Sequence, residues 1–491
     1  MAHKGVTVGF ARSAVAAALV AVVLAILAGC GGSTVDAKTA ARAQSVNNPG
    51  QGGQGGDAVV PGADPTAPNG NPIAPGADPT SPGEQPTNSS GDPVPPGQNP
   101  APGPGQQPPP GIKGVSCAGF KNGPGMTNSV VKIGNSSDIS GPVPGLFTAA
   151  QQATRAYVAY FNASGGNICG RKLQLDLYDS RTDGGGDQQG YTKGCDNDFA
   201  MVGSMSSFDS GGAKTAEGCG IPDIRAIATT VERGNCKTCF GAQPAGPDAF
   251  QNAVPDFIIR RTGGKGGGML YINIGAAASN GQSQAKHEAK RGIKFATVKG
   301  IDVAEFNYSP YVQQMKSAGV QSVQFIAASP QFAKLAQAFV QNNFKPKVFL
   351  LDPSAYNDEY PKLAGDAAKG TYVFLNFTPF EEAASNPEIK LYIQYLQQVA
   401  PGAKPTFFGL FAWSSARLFA EQATKLGGKL SRASLIAAMR KVDNWTSNGM
   451  HAPMHVGSKK ISDCWRFIQW SGSAWKPVEG RKYQCRGLTT G

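Results

Sequence analysis

From residue 128 onward, apolar positions fall into short bursts separated by longer amphipathic stretches, and the two kinds alternate. Val130-Val-Lys-Ile-Gly134 reads as a buried strand, 146–162 as an amphipathic helix, and Lys172-Leu-Gln-Leu-Asp-Leu-Tyr178 as an alternating strand. The pattern predicts helices over 186–195 and 210–218, a short strand at Ala200-Met-Val-Gly203, and another over 224–228. Strand and helix alternating at this pace mean parallel βαβ units. The rhythm restarts at Met269-Leu-Tyr-Ile-Asn-Ile274 and runs through helices over 282–291, 308–318 and 331–342. Strands over 294–298, 323–327, 347–351 and 371–375 are interleaved with them. Three helices follow, over 386–399, 409–426 and 432–442, and the alternation around Ser471-Gly-Ser473 reads as a hairpin. One rhythm run twice over about 375 residues predicts an α/β fold of two lobes, since a single core of that size is unusual.

Ahead of this body the pattern changes twice. Only Lys4 and Arg12 are charged before an unbroken apolar run from Ala14 to Ala28, which as a helix would reach about 22 Å. That falls short of the ~30 Å hydrocarbon core of a bilayer. Residues 1–29 therefore read as a secretory signal. Leu27-Ala-Gly-Cys30 closes the run and resembles the lipobox of bacterial lipoproteins. The resemblance implies a signal cleaved before Cys30, a lipidated Cys30, and a chain anchored on the extracytoplasmic face of the cell membrane. In an ordinary cleaved signal, Cys30 would be incidental.

From Gly31 to Gly111 there is too little apolar surface to offset conformational entropy, which predicts a disordered Pro/Gly-rich tether over 30–111. The tether repeats itself, Pro61-Gly-Ala-Asp-Pro-Thr-Ala-Pro68 returning as Pro75-Gly-Ala-Asp-Pro-Thr-Ser-Pro82. The net charge of +12 is spread without blocks of like sign or aromatic-interleaved basic clusters, which argues against nucleic acid as a partner. Of nine cysteines, Cys30 is assigned to lipid. The other eight are an even set in an exported chain and suggest disulfides, with 105 pairings open.

The run Val131-Lys-Ile-Gly-Asn-Ser-Ser-Asp-Ile-Ser-Gly-Pro-Val143 is followed by a helix and then by Phe161-Asn-Ala-Ser-Gly-Gly-Asn-Ile-Cys-Gly-Arg-Lys-Leu-Gln-Leu-Asp-Leu-Tyr-Asp179. With Val202-Gly-Ser-Met-Ser-Ser207, Ile221-Pro-Asp-Ile-Arg-Ala-Ile-Ala-Thr-Thr230 and Leu363-Ala-Gly-Asp-Ala-Ala-Lys-Gly370, it resembles the periplasmic-binding-protein type I family. The branch it is most similar to is the leucine/isoleucine/valine-binding subunits of ABC importers. The resemblance implies two doubly wound α/β lobes joined by a three-crossover hinge within residues 112–491. Lobe 1 would be about 128–253 with 378–445, and lobe 2 about 254–377 with 446–491.

Ligands of open α/β sheets sit beyond the carboxyl ends of the strands. The family resemblance assigns a ligand's carboxylate to Ser207, Ala228 and either Thr229 or Thr230, and Ser206 lies beside them. All four hydroxyl residues also suit N-caps and turns. In the second lobe Ser354 stands where amino-acid binders of the family carry the carboxylate that pairs with an α-ammonium. Asp352 would either replace that charge or cap the turn before Pro353. Phe147, Tyr356 and Tyr308 are candidate cleft walls or ordinary packing.

The implied fold also suggests disulfides Cys117–Cys169, Cys195–Cys219 and Cys464–Cys485, leaving Cys236-Lys-Thr-Cys239 as a loop staple or, less in keeping with its surroundings, a redox pair. His451-Ala-Pro-Met-His455 contains a helix-breaking proline and no adjacent carboxylate, so no metal is expected there. No cofactor or catalytic motif stands out. The expectation is a monomeric, non-enzymatic solute-binding lipoprotein that captures a small polar ligand (amino-acid-like, amide or organic acid) and passes it to an ABC importer. The rival is a ligand sensor or scaffold with the same fold and no transport role.

Overall fold

β1 (Val130–Ser137) lies in register with β2 (Lys172–Asp179), from Val130 opposite Lys172 to Ser137 opposite Asp179. This computed structural model describes residues 115–491, so the expected signal, Cys30 and the whole of the expected tether lie outside the described residues. With β3 (Ala200–Val202), β4 (Asp223–Ala228) and β5 (Cys239–Pro244), the two strands make a parallel sheet ordered β2-β1-β3-β4-β5. β3 and β5 are buried along their whole length, as expected where helices cover both faces of a parallel sheet.

The chain then forms β6 (Ala249–Gln251) and helix Ala253–Thr262, and enters a second sheet. Its parallel strands are β7 (Gly267–Ile272), β8 (Phe295–Ile301), β9 (Ser322–Ile326), β10 (Val348–Leu351) and β11 (Tyr372–Leu375). After β11 the chain returns to the first sheet. Helices Pro387–Val399 and Phe407–Leu426 pack there against helix Thr148–Ala163, with Trp413 stacked on Tyr160 (5.7 Å) and edge-on to Tyr157 (5.0 Å). The Trp413 indole N–H donates to Glu388 Oε1 at 2.7 Å, which keeps this core polar group paired. Helix Arg432–Met439 is tied to the same lobe by Arg432, whose guanidinium donates to the carbonyls of Cys195 (2.9 Å) and Phe199 (3.2 Å).

The chain closes the second sheet with the antiparallel hairpin β12 (Cys464–Trp470) and β13 (Trp475–Val478), giving the order β13-β12-β11-β10-β9-β7-β8. β14 (Gln484–Cys485) pairs with β12, and β15 (Leu488–Thr490) pairs with β6. The result is a bilobed α/β fold.

Every element read from the apolar pattern is present within a few residues, apart from helix Gly275–Arg291, which starts seven residues earlier than its pattern indicates. Helix Ala253–Thr262 and strands β5, β6, β14 and β15 were not legible. β5 reads Cys-Phe-Gly-Ala-Gln-Pro, with no alternation and a terminal proline, yet it extends along β4 from Asp223 opposite Cys239 to Ala228 opposite Pro244. Among the described residues four disulfides are formed: Cys117–Cys169, Cys195–Cys219, Cys236–Cys239 and Cys464–Cys485. Cys236 and Cys239 are both buried, which suits a staple and not an accessible redox pair.

The first lobe also buries an ionic cluster. Arg233 donates to Asp187 (3.0 Å) and Asp223 (2.7 Å), and all three side chains are fully buried. Tyr191 bridges the cluster by donating to Asp223 at 2.8 Å and accepting from Arg225 at 2.5 Å. Removing one member leaves the others charged and unpaired in a low dielectric. Arg233→Met is expected to lower the unfolding free energy by about 3–5 kcal/mol in urea denaturation monitored by far-UV circular dichroism. A loss under about 1 kcal/mol would show that the cluster is electrostatically idle.

Candidate functional site

Beyond the carboxyl ends of both sheets the lobes enclose a cavity of about 1010 Å³, at the upper end of ordinary ligand pockets. Its wall is mostly apolar. The first lobe contributes Leu146, Phe147, Ile227 and Phe408, and the second contributes Ile272, Ile274, Ile326, Phe374 and Trp465. Phe147 and Phe408 meet edge-on at 4.7 Å, fixing one corner. The lobes touch at one edge of the cavity, where the Ala276 N–H donates to the Ser207 carbonyl at 2.8 Å. Gly275 makes this approach feasible. Its φ is +45°, and a Cβ there would lie 2.2 Å from the Ser207 oxygen.

Of the residues expected at the site, Phe147, Ser207 and Thr229 line the cavity, as do Asp352 and Ser354. The others do not. Ser206 Oγ turns back to accept the Phe208 N–H at 3.1 Å. Ala228 uses its carbonyl to accept the Ala245 N–H at 2.8 Å. Thr230 caps helix Val231–Asn235. Tyr356 stacks on Phe380 (5.3 Å), accepts the Phe380 N–H at 2.6 Å and bonds the Glu381 carboxylate, which buries it behind the cleft. Tyr308 is core packing against Phe325. His451 is likewise a core residue, bonded to Ser414 at 2.8 Å, with burial lowering its pKa to about 4.

Three of the donors expected to hold a ligand's carboxylate already hold carboxylates of the protein. The Ser207 N–H donates to Asp138 Oδ2 at 2.8 Å, and Asp138 Oδ1 accepts from Ser180 Oγ (2.5 Å) and the Thr182 N–H (3.2 Å). Thr229 donates through both N–H (2.9 Å) and Oγ1 (3.0 Å) to Asp209 Oδ2. Asp138 and Asp209 are fully buried. Both lie inside loops that the sequence marks as strand ends, and an acidic residue among donors was the available signal.

The second lobe brings Asp352 and Gln331 to the opposite wall. Asp352 uses Oδ1 to accept the Ser354 N–H at 2.8 Å, the turn cap considered from sequence, while its water-shielded Oδ2 has no partner among the described residues. Burial raises the Asp352 pKa to about 6, against the opposing pull of its hydrogen bonds to Ser354. Gln331 donates from Nε2 to the Val303 carbonyl at 3.3 Å and leaves its buried Oε1 unpaired.

Two α/β lobes enclosing a cavity at the strand ends define a solute-binding architecture. Residues 130–474 match the family model described as periplasmic binding protein, and the chain belongs to that family. Many solved structures share the fold. A fatty acid ABC transporter substrate-binding protein from Thermomonospora curvata aligns with a TM-score of 0.63 at 20% identity, over 75% of this chain and 95% of that one. A branched-chain amino acid transporter substrate-binding protein from Streptococcus pneumoniae, in complex with isoleucine, gives 0.61 at 14% identity over 72% and 99%. A solute-binding protein of an ABC transporter from Rhodopseudomonas palustris HaA2, in complex with p-hydroxybenzoic acid, gives 0.59 at 16% over 74% and 97%. Each is named for binding or transport and none for catalysis. No curated protein matches the chain.

One cavity-lining side chain connects to a buried acid. Gln284 Nε2 donates to Gln324 Oε1 (2.7 Å) and to Glu288 Oε1 (3.0 Å), and Gln324 Nε2 donates to Glu288 Oε2 (2.5 Å). Burial pushes the Glu288 carboxyl up to about 8, outweighing the two amide donors that favour its charged form. A raised pKa in the folded state makes a contribution to stability that is whole below the unfolded pKa and lost as pH rises through the folded one. Glu288 therefore adds a downward slope to stability between about pH 4.5 and pH 8. Glu288→Gln is expected to flatten the decline of Tm over that window relative to the unsubstituted protein. Parallel curves would show that Glu288 is ionised throughout.

Proposed function

We propose that this chain is a lipid-anchored, extracytoplasmic solute-binding protein that closes its lobes around a ligand with a large apolar body and delivers it to an ABC importer. The cavity of about 1010 Å³ with its aliphatic and aromatic wall carries this reading. A small polar ligand would leave most of that wall unfilled and bring little apolar area out of water. The similar structures are named for fatty acid, isoleucine and hydroxybenzoate, a spread that leaves the choice of ligand to the cavity.

Lobe 1, about 128–253 with 378–445, and lobe 2, about 254–377 with 446–491, would hinge on the three chain passages between the sheets. Phe147, Ser207 and Thr229 would belong to the binding wall, and Ser206, Ala228, Thr230 and Tyr356 would support it from behind. Cys30 would carry the lipid and residues 30–111 the tether, as Leu27-Ala-Gly-Cys30 and the tether composition support. The protein would work as a monomer beside its importer.

Closure is testable at the point where the lobes touch. A valine at Gly275 would press its Cβ on the Ser207 carbonyl and hold the lobes apart. Gly275→Val is expected to weaken binding of decanol at least tenfold by calorimetry and to abolish the ligand-dependent fall in radius of gyration seen by X-ray scattering. For the unsubstituted protein, decanol should raise Tm while leucine does not. A strong response to leucine alone would overturn the large-ligand reading. Loss of uptake on deletion of the gene, restored by the unsubstituted chain and not by Cys30→Ser, tests transport and anchorage.

A further inference from the structure

The cavity does not stop at the strand ends. Ala276, Ala277, Asn280, Ser283 and Gln284 all line it, and their spacing places them on one face of helix Gly275–Arg291. From Ala276 to Gln284 that face rises by about 12 Å. Because β7 and β8 are parallel, the helix between them runs back along the sheet. The cavity therefore continues from the Ser207 contact down the flank of the second lobe. The facing wall is the passage from β5 into β6, with Ala245, Pro247, Ala249 and Phe250 on the lining. β15 holds this wall through β6, Thr490 lying opposite Ala249 and Leu488 opposite Gln251. The Ser283 hydroxyl donates to the Pro247 carbonyl and so fixes the distance between the two walls. Phe250 packs against the cluster of Phe374 and Trp465, which also line the cavity. The Trp465 indole N–H is spent on the Ser462 carbonyl at 2.9 Å, so its ring meets this chamber as apolar surface.

Charge is confined to the other side. The charged residues on the lining are Asp352, Asp358, Glu359, Lys362 and Lys404. The last four are exposed, and Lys404 of the first lobe faces Asp358 of the second at 3.8 Å. Asp358, Glu359 and Lys362 belong to helix Glu359–Ala364 and its N-cap, and that helix packs on helix Ser329–Gln341. Met269 and Tyr271 of β7 pack on Ala285 of helix Gly275–Arg291. Leu270 points to the opposite face and joins the core that holds Phe332 and Leu335 of helix Ser329–Gln341. The flank chamber and the charged rim thus lie on opposite faces of the second sheet, connected across its strand ends. A hydrocarbon chain laid in the chamber leaves water along its length, while a polar group at the rim keeps its hydration.

Resting on the solute-binding reading above, we propose that the flank chamber is a tail site. It takes the unbranched hydrocarbon chain of an amphiphile whose polar end stays at the charged rim, and it makes the protein select ligands by chain length. Asn280 and Ala249, one on each wall, are specificity-determining positions, and Trp465 lies beside the end of the bound chain.

The test titrates 1-hexanol, 1-octanol and 1-decanol calorimetrically into the intact chain. Each pair of added methylenes is expected to tighten binding about tenfold. Asn280→Trp and Ala249→Trp, which fill the chamber from opposite walls, should each weaken 1-decanol at least tenfold and 1-hexanol less than threefold, with far-UV circular dichroism unchanged. Orientation is read without any variant: 10-bromo-1-decanol should quench tryptophan emission more strongly than 2-bromo-1-decanol, whose bromine sits beside the hydroxyl. Trp465→Phe should remove most of that difference. Stronger quenching by the 2-bromo isomer, or filled variants that weaken hexanol and decanol alike or neither, overturns the tail site and leaves the solute-binding reading standing. Binding of none of the three alcohols, with no change in radius of gyration, overturns both.

Discussion

The cleft is organised by the capture of its own backbone donors. Where strands of an open α/β sheet end, N–H groups point toward the crevice and must find acceptors. A binding protein can leave them for a ligand. This chain fills them with Asp138 and Asp209, whose carboxylates take the Ser207 and Thr229 donors. The register of β1 with β2 makes the first capture feasible, because Ser137 opposite Asp179 brings Asp138 beside Ser180 and Thr182. The Ser207 and Thr229 donors on that side are thus paired before any ligand arrives.

Burying carboxylates at a strand end carries an electrostatic demand that the layer behind meets. Arg233 joins the Asp209 carbonyl to Asp187 and Asp223, so the loop that carries Asp209 is fixed to the helices and strands beneath it. Burial works against the charge of Arg225, and attraction to the aspartates beside it raises its pKa nonetheless. The same cluster reaches Cys239, whose Sγ lies 3.4 Å from Arg233 Nη1. The Cys236–Cys239 staple accordingly pins the start of β5 against the charged layer.

How far sequence reaches here depends on range. The alternation of apolar bursts is a local property, so two α/β lobes were legible from pattern alone, and the family resemblance added the disulfide partners. β5 was hidden because its burial comes from neighbours in space and not from its own residues, Cys-Phe-Gly-Ala-Gln-Pro. Helix Gly275–Arg291 was read seven residues short because Gly-Ala-Ala-Ala-Ser-Asn-Gly carries no apolar stripe, and its first turn is held by the Ser207 carbonyl of the other lobe. The candidate site suffered most. Ser207 and Thr229 were legible as donors, but Asp138 lies 69 residues from Ser207 and Asp209 lies 20 from Thr229. No spacing rule joins such pairs, and the cavity volume depends on side chains from many separate segments.

Apolar volume and paired donors together bear on how closure is driven. A cleft that grips a zwitterion gains from a few short charge-assisted hydrogen bonds. Under the proposed reading this one would gain chiefly from area removed from water, at about 25 cal/mol per Å², and affinity would grow with ligand length until the cavity is full. The contact of Ser207 with Gly275 and Ala276 sits at the border of the two regimes. It joins the lobes backbone to backbone, and under the proposed reading would serve as a closure contact whatever the ligand's side chemistry.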